Sequence, residues 1–331
     1  MTMEIFFVGL EETGASISLA LGNSTASFSC TGYDPNPQIA RAARKRGDIN
    51  RIVFKPKKGV QAADLIILAV PEDLIREYLE ILAPDMKTGA LIMDTSPLKS
   101  GAIGWAKELL REGCYYIGAI PVLNPDLLTE TYSENTLPRA DLFSGGFLAL
   151  VIPANTPEHI VKLTYAIAGI LDAVPFFIEP GEVDAVIAAI EQLPALMAIS
   201  LIRSALKSPG RREIRLLAGR SWVQAALVGA RIHPQELSKS LKLNKHNVLR
   251  RLDEFSEELG TLRQLISSDD DESLKHYIEE SAKEFYILLN DRKEGNLSIP
   301  ALQLSPLPKF SMFGRLSGLS DPSKKTNKDR S

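Results

Sequence analysis

The first stretch able to do chemistry is Gly9-Leu10-Glu11-Glu12-Thr13-Gly14, set between the apolar run Glu4 to Val8 and a helical pattern. A G-x-G-x-x-G fingerprint in that place cradles a dinucleotide. Its first glycine makes the turn, its second admits the pyrophosphate against bare backbone, and its third lets the helix pack closely. An acid after the second strand then binds the adenosine ribose. Gly9, Gly14 and Asp34 supply three of these parts, and Glu11 replaces the second glycine. A carboxylate there opposes a pyrophosphate both sterically and by Coulomb repulsion, so affinity for NAD or NADP is expected to be weak. Asp34 favours NAD over NADP. The alternative is that Gly9 and Gly14 serve only a strand-to-helix turn and Asp34 only caps a helix.

Other reactive side chains are few. His159, His233, His246 and His276 lie at helix starts or in polar stretches and read as solvated surface residues rather than bases. Cys30 and Cys114 sit in or beside apolar β-type runs, where a buried reduced thiol is expected rather than a disulfide or a metal site. No metal is expected. With 45% hydrophobic and 24% charged residues and a net charge of -3, the chain reads as a globular protein with no footprint for nucleic acid. The N-terminus lacks a basic region and a signal-length apolar run, and no uninterrupted apolar stretch is long enough for a bilayer. A cytoplasmic location without a membrane partner is the expectation.

The elements that must position these residues alternate through the first half. Glu4 to Val8, Ser27 to Tyr33, Asp64 to Val70, Ala90 to Asp94, Tyr115 to Ile120 and Phe147 to Ile152 read as strands with helical patterns between them. That rhythm predicts an α/β fold with a doubly wound, Rossmann-like parallel sheet, whose ligands bind at the carboxyl ends of the strands. Asn155-Thr156-Pro157-Glu158 reads as a cap opening a helix, and Ala173 to Ile178 as a strand added at the sheet edge. Beyond it, Val183 to Leu206, Ala218 to Ala230, Pro234 to Leu265 and Glu272 to Asn290 carry apolar residues at helical spacing. The expected domains are therefore 1–178 (dinucleotide-binding), 179–298 (all-α, for dimerisation and substrate) and a disordered tail at 299–331, whose Lys324-Lys325 pair reads as a solubilising feature. Broad apolar helix faces predict a homodimer, with intrachain packing as the alternative.

From about residue 3 to about 292 the chain resembles the prephenate dehydrogenase family of tyrosine biosynthesis, in segments that keep the family's order. Leu68-Ala69-Val70-Pro71 resembles its cofactor-lining strand, and Asp94-Thr95-Ser96-Pro97-Leu98-Lys99 its D-x-x-S-x-K turn. Gly118-Ala119-Ile120-Pro121 stands at the G-x-H-P segment, and Asp141-Leu142-Phe143-Ser144-Gly145 at D-L-F-x-G. Val183-Asp184 and Glu191-Gln192-Leu193-Pro194-Ala195 resemble H-D and S-H-L-P-H on the long central helix. Arg231 to Leu237, Leu243-Asn244-Lys245 and Leu252 to Phe255 resemble the dimerisation helices.

The resemblance implies an NAD(P)-dependent oxidoreductase in which a histidine removes the ring hydroxyl proton of prephenate as hydride leaves. Decarboxylation then gives 4-hydroxyphenylpyruvate. It places Gly9, Leu10, Glu11, Gly14, Asp34, Val70 and Pro71 at the cofactor, and Gln192 and Arg231 at a small-molecule substrate. Here the base position is Ile120, its helper serine falls at Pro97, and the helix histidines become Val183, Gln192 and Ala195. The carboxylate-binding arginine falls at Val228, with Arg231 a substitute three residues on. Asp94, Ser96 and Lys99 are left as the polar candidates beside the nicotinamide region. Activity on prephenate is therefore doubtful. The alternatives are a non-catalytic homologue with a regulatory or ligand-binding role, or a dehydrogenase for another substrate.

Overall fold

The computed structural model describes residues 2–129 and 137–295, so the expected tail and its lysine pair lie outside the described residues. One sheet contains β1 (Met3–Val8), β2 (Phe28–Tyr33), β3 (Arg51–Ile52), β4 (Leu65–Leu68), β5 (Leu91–Asp94), β6 (Tyr115–Pro121), β7 (Phe147–Val151) and β8 (Val174–Phe177). Its strand order is β3-β2-β1-β4-β5-β6-β7-β8. All four residues of β4 are buried, as a strand covered on both faces requires. The two-residue alternation is plain in β1. Ile5 and Phe7 join the core under α1 (Glu12–Gly22) and α2 (Pro37–Arg46), whereas Phe6 and Val8 join the core on the opposite face. That second core is closed by α3 (Pro56–Val60), α4 (Ile75–Leu82) and α5 (Ser100–Leu109).

Two details differ from the sequence reading. β7 runs antiparallel to β6, pairing Gly118 with Val151 and Pro121 with Leu148, where parallel pairing was expected throughout. Among the described residues the β6–β7 connection holds only the short turn Pro125–Leu127, and an antiparallel neighbour needs no helical crossover. β8 does add to the edge, parallel to β7 through α6 (Glu158–Ile170). Asn155 does not cap α6. It stands in a left-handed turn at φ 67°, Thr156 Oγ bonds back to the Pro153 carbonyl, and Pro157 precedes the helix.

The second half is helical. α7 (Pro180–Ile187), a π-type turn over Ala188–Gln192 and α8 (Leu193–Leu206) make one continuous run. By length and composition this run is apolar enough to cross a bilayer, although Glu182, Asp184, Glu191 and Arg203 interrupt it. It packs against α5, α10 (Arg220–Arg231) and α12 (Lys245–Ser267), with α9 (Arg211–Leu217) between α8 and α10. The expected single helix from Pro234 to Leu265 is two, α11 (Pro234–Leu243) and α12, broken at Asn244, whose side chain is buried. α13 (Asp271–Glu294) packs back along α12. Cys30 is buried, Cys114 half-buried, and both are free thiols.

Candidate functional site

The loop between β1 and α1 is shaped by its two glycines. Gly9 has φ +91°, and a Cβ on it would run into the Ala69 carbonyl oxygen; a Cβ on Gly14 would run into the carbonyl of Gly9. Both positions therefore demand glycine, one for the turn and one for the close approach of α1. The Leu10 amide donates to Asp34 Oδ2 at 2.9 Å and the Asn36 amide to Asp34 Oδ1 at 2.8 Å, so Asp34 clamps the loop to the end of β2. Each carboxylate oxygen keeps a lone pair for a further donor. The Leu10 side chain is buried in the core, leaving only its backbone at the loop. Ala69 and Val70, the first residues after β4, lie beside Gly9, and Pro71 follows them in the chain. The structure thus brings Gly9, Leu10, Gly14, Asp34 and Val70 together at the carboxyl ends of β1, β2 and β4, with Pro71 next to Val70 in the chain.

Glu11 occupies the N-cap of α1 in extended backbone and makes no capping hydrogen bond with its side chain. Burial raises its pKa, and so do the charges of Asp34 and of Glu236 in α11. Glu11 therefore adds an acid to the loop where a pyrophosphate would lie, with Asp34 at the neighbouring end of β2.

The polar candidates after β5 face one another rather than open space. Lys99 Nζ lies 2.9 Å from Asp94 Oδ2, 3.0 Å from the Asp94 carbonyl and 3.3 Å from Ser96 Oγ. Tyr116 donates its hydroxyl to the same Asp94 Oδ2 at 2.6 Å, and the Ser96 amide donates to Oδ1 at 2.8 Å. Both charged side chains are 0% exposed. The lysine stem passes beneath Gly118, where a Cβ would come within 2.6 Å of Lys99 Cδ. Burial lowers the Lys99 pKa against the opposing pull of Asp94, and burial followed by Asp94 pushes the Tyr116 phenol well up. A charge so placed is tolerable only when paired, and the group forms a strut under β5 and β6. Asp184 of α7 extends it: its two oxygens accept from the Lys99 and Ser100 amides at 2.7 and 3.1 Å, capping α5 from the helical half.

Ile120, at the base position, is half-buried against the cluster of Leu98, Val151, Val183 and Ile187. Val183 is itself a position at which the resemblance has histidine. Two residues that would carry imidazoles have thus become part of one apolar contact between the halves.

Gln192 is buried among the helices. Its amide nitrogen donates to Ser240 Oγ at 2.7 Å and its oxygen accepts from Asn244 Nδ2 at 2.8 Å, so both ends of the amide expected at a substrate are paired within the helical half. Asn244 Nδ2 also donates to the Asp184 carbonyl at 2.7 Å, joining α11, α12 and α7. Arg231 is half-buried in the last turn of α10. All four histidines are exposed. Tyr116 went unnoticed in the sequence, because its partner Asp94 lies 22 residues away on another strand and no local spacing marks it.

Two family models match in succession. Residues 17–167 match the nucleotide-binding domain of prephenate dehydrogenase, and residues 179–280 match its dimerization domain. The chain belongs to the prephenate dehydrogenase family. The first match begins at Ile17, after the loop that holds Glu11. The chain is 27% identical to a prephenate dehydrogenase of Lactococcus lactis over 285 residues, 85% of this chain and 76% of that one. It is 26% identical to that of Bacillus subtilis over 310 residues, 90% of this chain and 78% of that one. Among solved structures, prephenate dehydrogenase from A. aeolicus with hydroxyphenyl propionate and NAD+ shares the fold. Its TM-score is 0.76 at 20% identity, covering 87% of this chain and 99% of that chain.

Proposed function

We propose that this member of the prephenate dehydrogenase family binds NAD weakly at the β1–α1 loop and has lost efficient oxidation of prephenate. The observation that carries this reading is the apolar packing of Ile120 with Val183, Leu98 and Ile187. An isoleucine can neither accept a proton nor donate a hydrogen bond. Loss of a general base lowers a rate by roughly two to four orders of magnitude, and the helper serine position is Pro97.

The loop geometry fits a dinucleotide except at Glu11. Gly9, Gly14 and the backbone of Leu10 would face the pyrophosphate, Asp34 the adenosine ribose, and Val70 and Pro71 the nicotinamide end. The bound cofactor would supply the hydride acceptor. Asp34, an acid at the ribose position, supports NAD over NADP. Asp94, Ser96 and Lys99 act as positioning residues that hold β5 and β6 beneath the nicotinamide end, and Arg231 is the remaining candidate for a ligand carboxylate. The domains divide near 178/179, with a homodimer formed through the helices of 179–298, a small-molecule ligand and a cytoplasmic location. The test is NADH formation at 340 nm with saturating prephenate and NAD or NADP. A rate indistinguishable from the no-enzyme control is expected, and brisk turnover refutes the reading. Rescue in Ile120→His with Pro97→Ser would place the loss in the chemistry and not in the scaffold.

A further inference from the structure

Among the described residues, α7, α11 and α13 of the helical half are each fastened to the sheet half. In α7, Asp184 accepts from the Lys99 and Ser100 amides, and Val183 and Ile187 close over Leu98 and Val151. In α11, Lys239 pairs at 2.6 Å with Asp73, in the turn that follows β4. Near the end of α13, Arg292 donates to the Leu123 carbonyl at 3.0 Å and lies 5.3 Å from the centre of the Phe147 ring. A hinged pair of domains confines its moving joint to a few residues between them. Here α11 and α13 hold the sheet half from far along the chain, well past the joint between β8 and α7.

The α7 contact is braced on both sides by buried polar side chains. On the sheet side Lys99 is held by Asp94, which also accepts from Tyr116 of β6. On the helical side Asn244 donates to the Asp184 carbonyl and to Gln192, and Gln192 donates to Ser240. Asp94, Lys99, Asp184, Gln192, Ser240 and Asn244 are all buried, so each bond broken leaves a desolvated group without a partner. At 183 and 192 the resemblance has histidine. In this chain Val183 supplies the apolar part of the contact and Gln192 its polar bracing.

We infer that these two positions have passed from chemistry to fastening, and that α7 couples the halves into one cooperative unit in which damage or ligand binding in one is felt by the other. The physical reason is that the bracing on each side is satisfied only while α7 stays docked. Undocking strips partners from buried groups in both halves together, which is the condition for a single opening event.

The chain holds one tryptophan in each half, Trp105 on α5 and Trp222 on α10. Replacing either one by Phe leaves a single reporter, whose fluorescence follows urea unfolding of the full-length chain at one protein concentration. Each background then carries Lys99→Met, which removes a side chain held within the sheet half, or Gln192→Leu, which removes one held within the helical half. Coupling predicts coincident transitions in the unmodified backgrounds. It also predicts that each variant lowers the midpoint by at least about 0.4 M, equally at both reporters. Separate transitions in the unmodified backgrounds, or a fall confined to the reporter of the damaged half, overturns the inference. So do midpoints that neither variant moves. A variant too damaged to fold must lose both signals, and survival of the far one overturns the inference equally. Saturating NADH should raise both midpoints together. A rise at Trp105 alone overturns the coupling, whereas a rise at neither reporter counts against the cofactor reading and leaves the two variants to decide.

Discussion

Removing the Glu11 carboxylate should strengthen NADH binding by about tenfold. The side chain sits at the N-cap of α1 without a capping hydrogen bond, so its loss removes little from the helix. A glycine at an N-cap is within a few tenths of a kcal/mol of the better caps. Two unit charges about 4 Å apart repel by about 1 kcal/mol in bulk water and about 4 kcal/mol near a protein surface. Glu11 is reached by solvent although the protein crowds one side of it, so a figure nearer the water-like limit applies. Interaction with two phosphate charges, reduced by ionic screening, leaves about 1.4 kcal/mol, a factor of ten. Glu11→Gly removes both bulk and charge, whereas Glu11→Gln keeps the shape and isolates the charge. The assay is NADH fluorescence titration at low and physiological salt. Charge repulsion predicts that raising salt narrows the gap between native and Gln chains. Burial, Asp34 and Glu236 raise the Glu11 pKa, so native affinity should rise as pH falls through that raised value, and the Gln chain should lack this dependence. Equal Kd for the native chain and both variants would refute the argument.

Replacing Lys99 with Met leaves the Asp94 carboxylate buried without its cation and should destabilise the chain by about 3–5 kcal/mol. Adding Asp94→Asn should recover a good part of this in urea denaturation, and additive losses would disprove the coupling. Asp184→Ala removes the acceptor for two α5 amides and should lower stability by about 1–2 kcal/mol; an unchanged urea midpoint would contradict the capping role. Light scattering should give a dimer mass at micromolar concentration, because Val186, Ile190 and Met197 on the central helix stay exposed in the single chain. A monomer mass would count against the proposed helical interface.

The sheet and the family were legible because their signals are local. Alternating runs such as Ile5 to Val8, the two obligatory glycines and the acid after β2 each depend on a few consecutive residues, and their order along the chain carries the resemblance. The antiparallel β7, the two-residue β3 and the break at Asn244 were not, since pairing direction and helix ends are decided by distant partners. The same holds for the site. The sequence by itself determined that no histidine stands at position 120 and that Glu11 enters the pyrophosphate loop. Only the tertiary structure decided what became of the remaining polar residues. It sealed Lys99 with Asp94 and Tyr116, turned Gln192 toward Ser240, and packed Ile120 against Val183. Burial and long-range pairing set whether a charged side chain is a strut or a contact for a ligand, and neither is encoded in the spacing of residues along the chain.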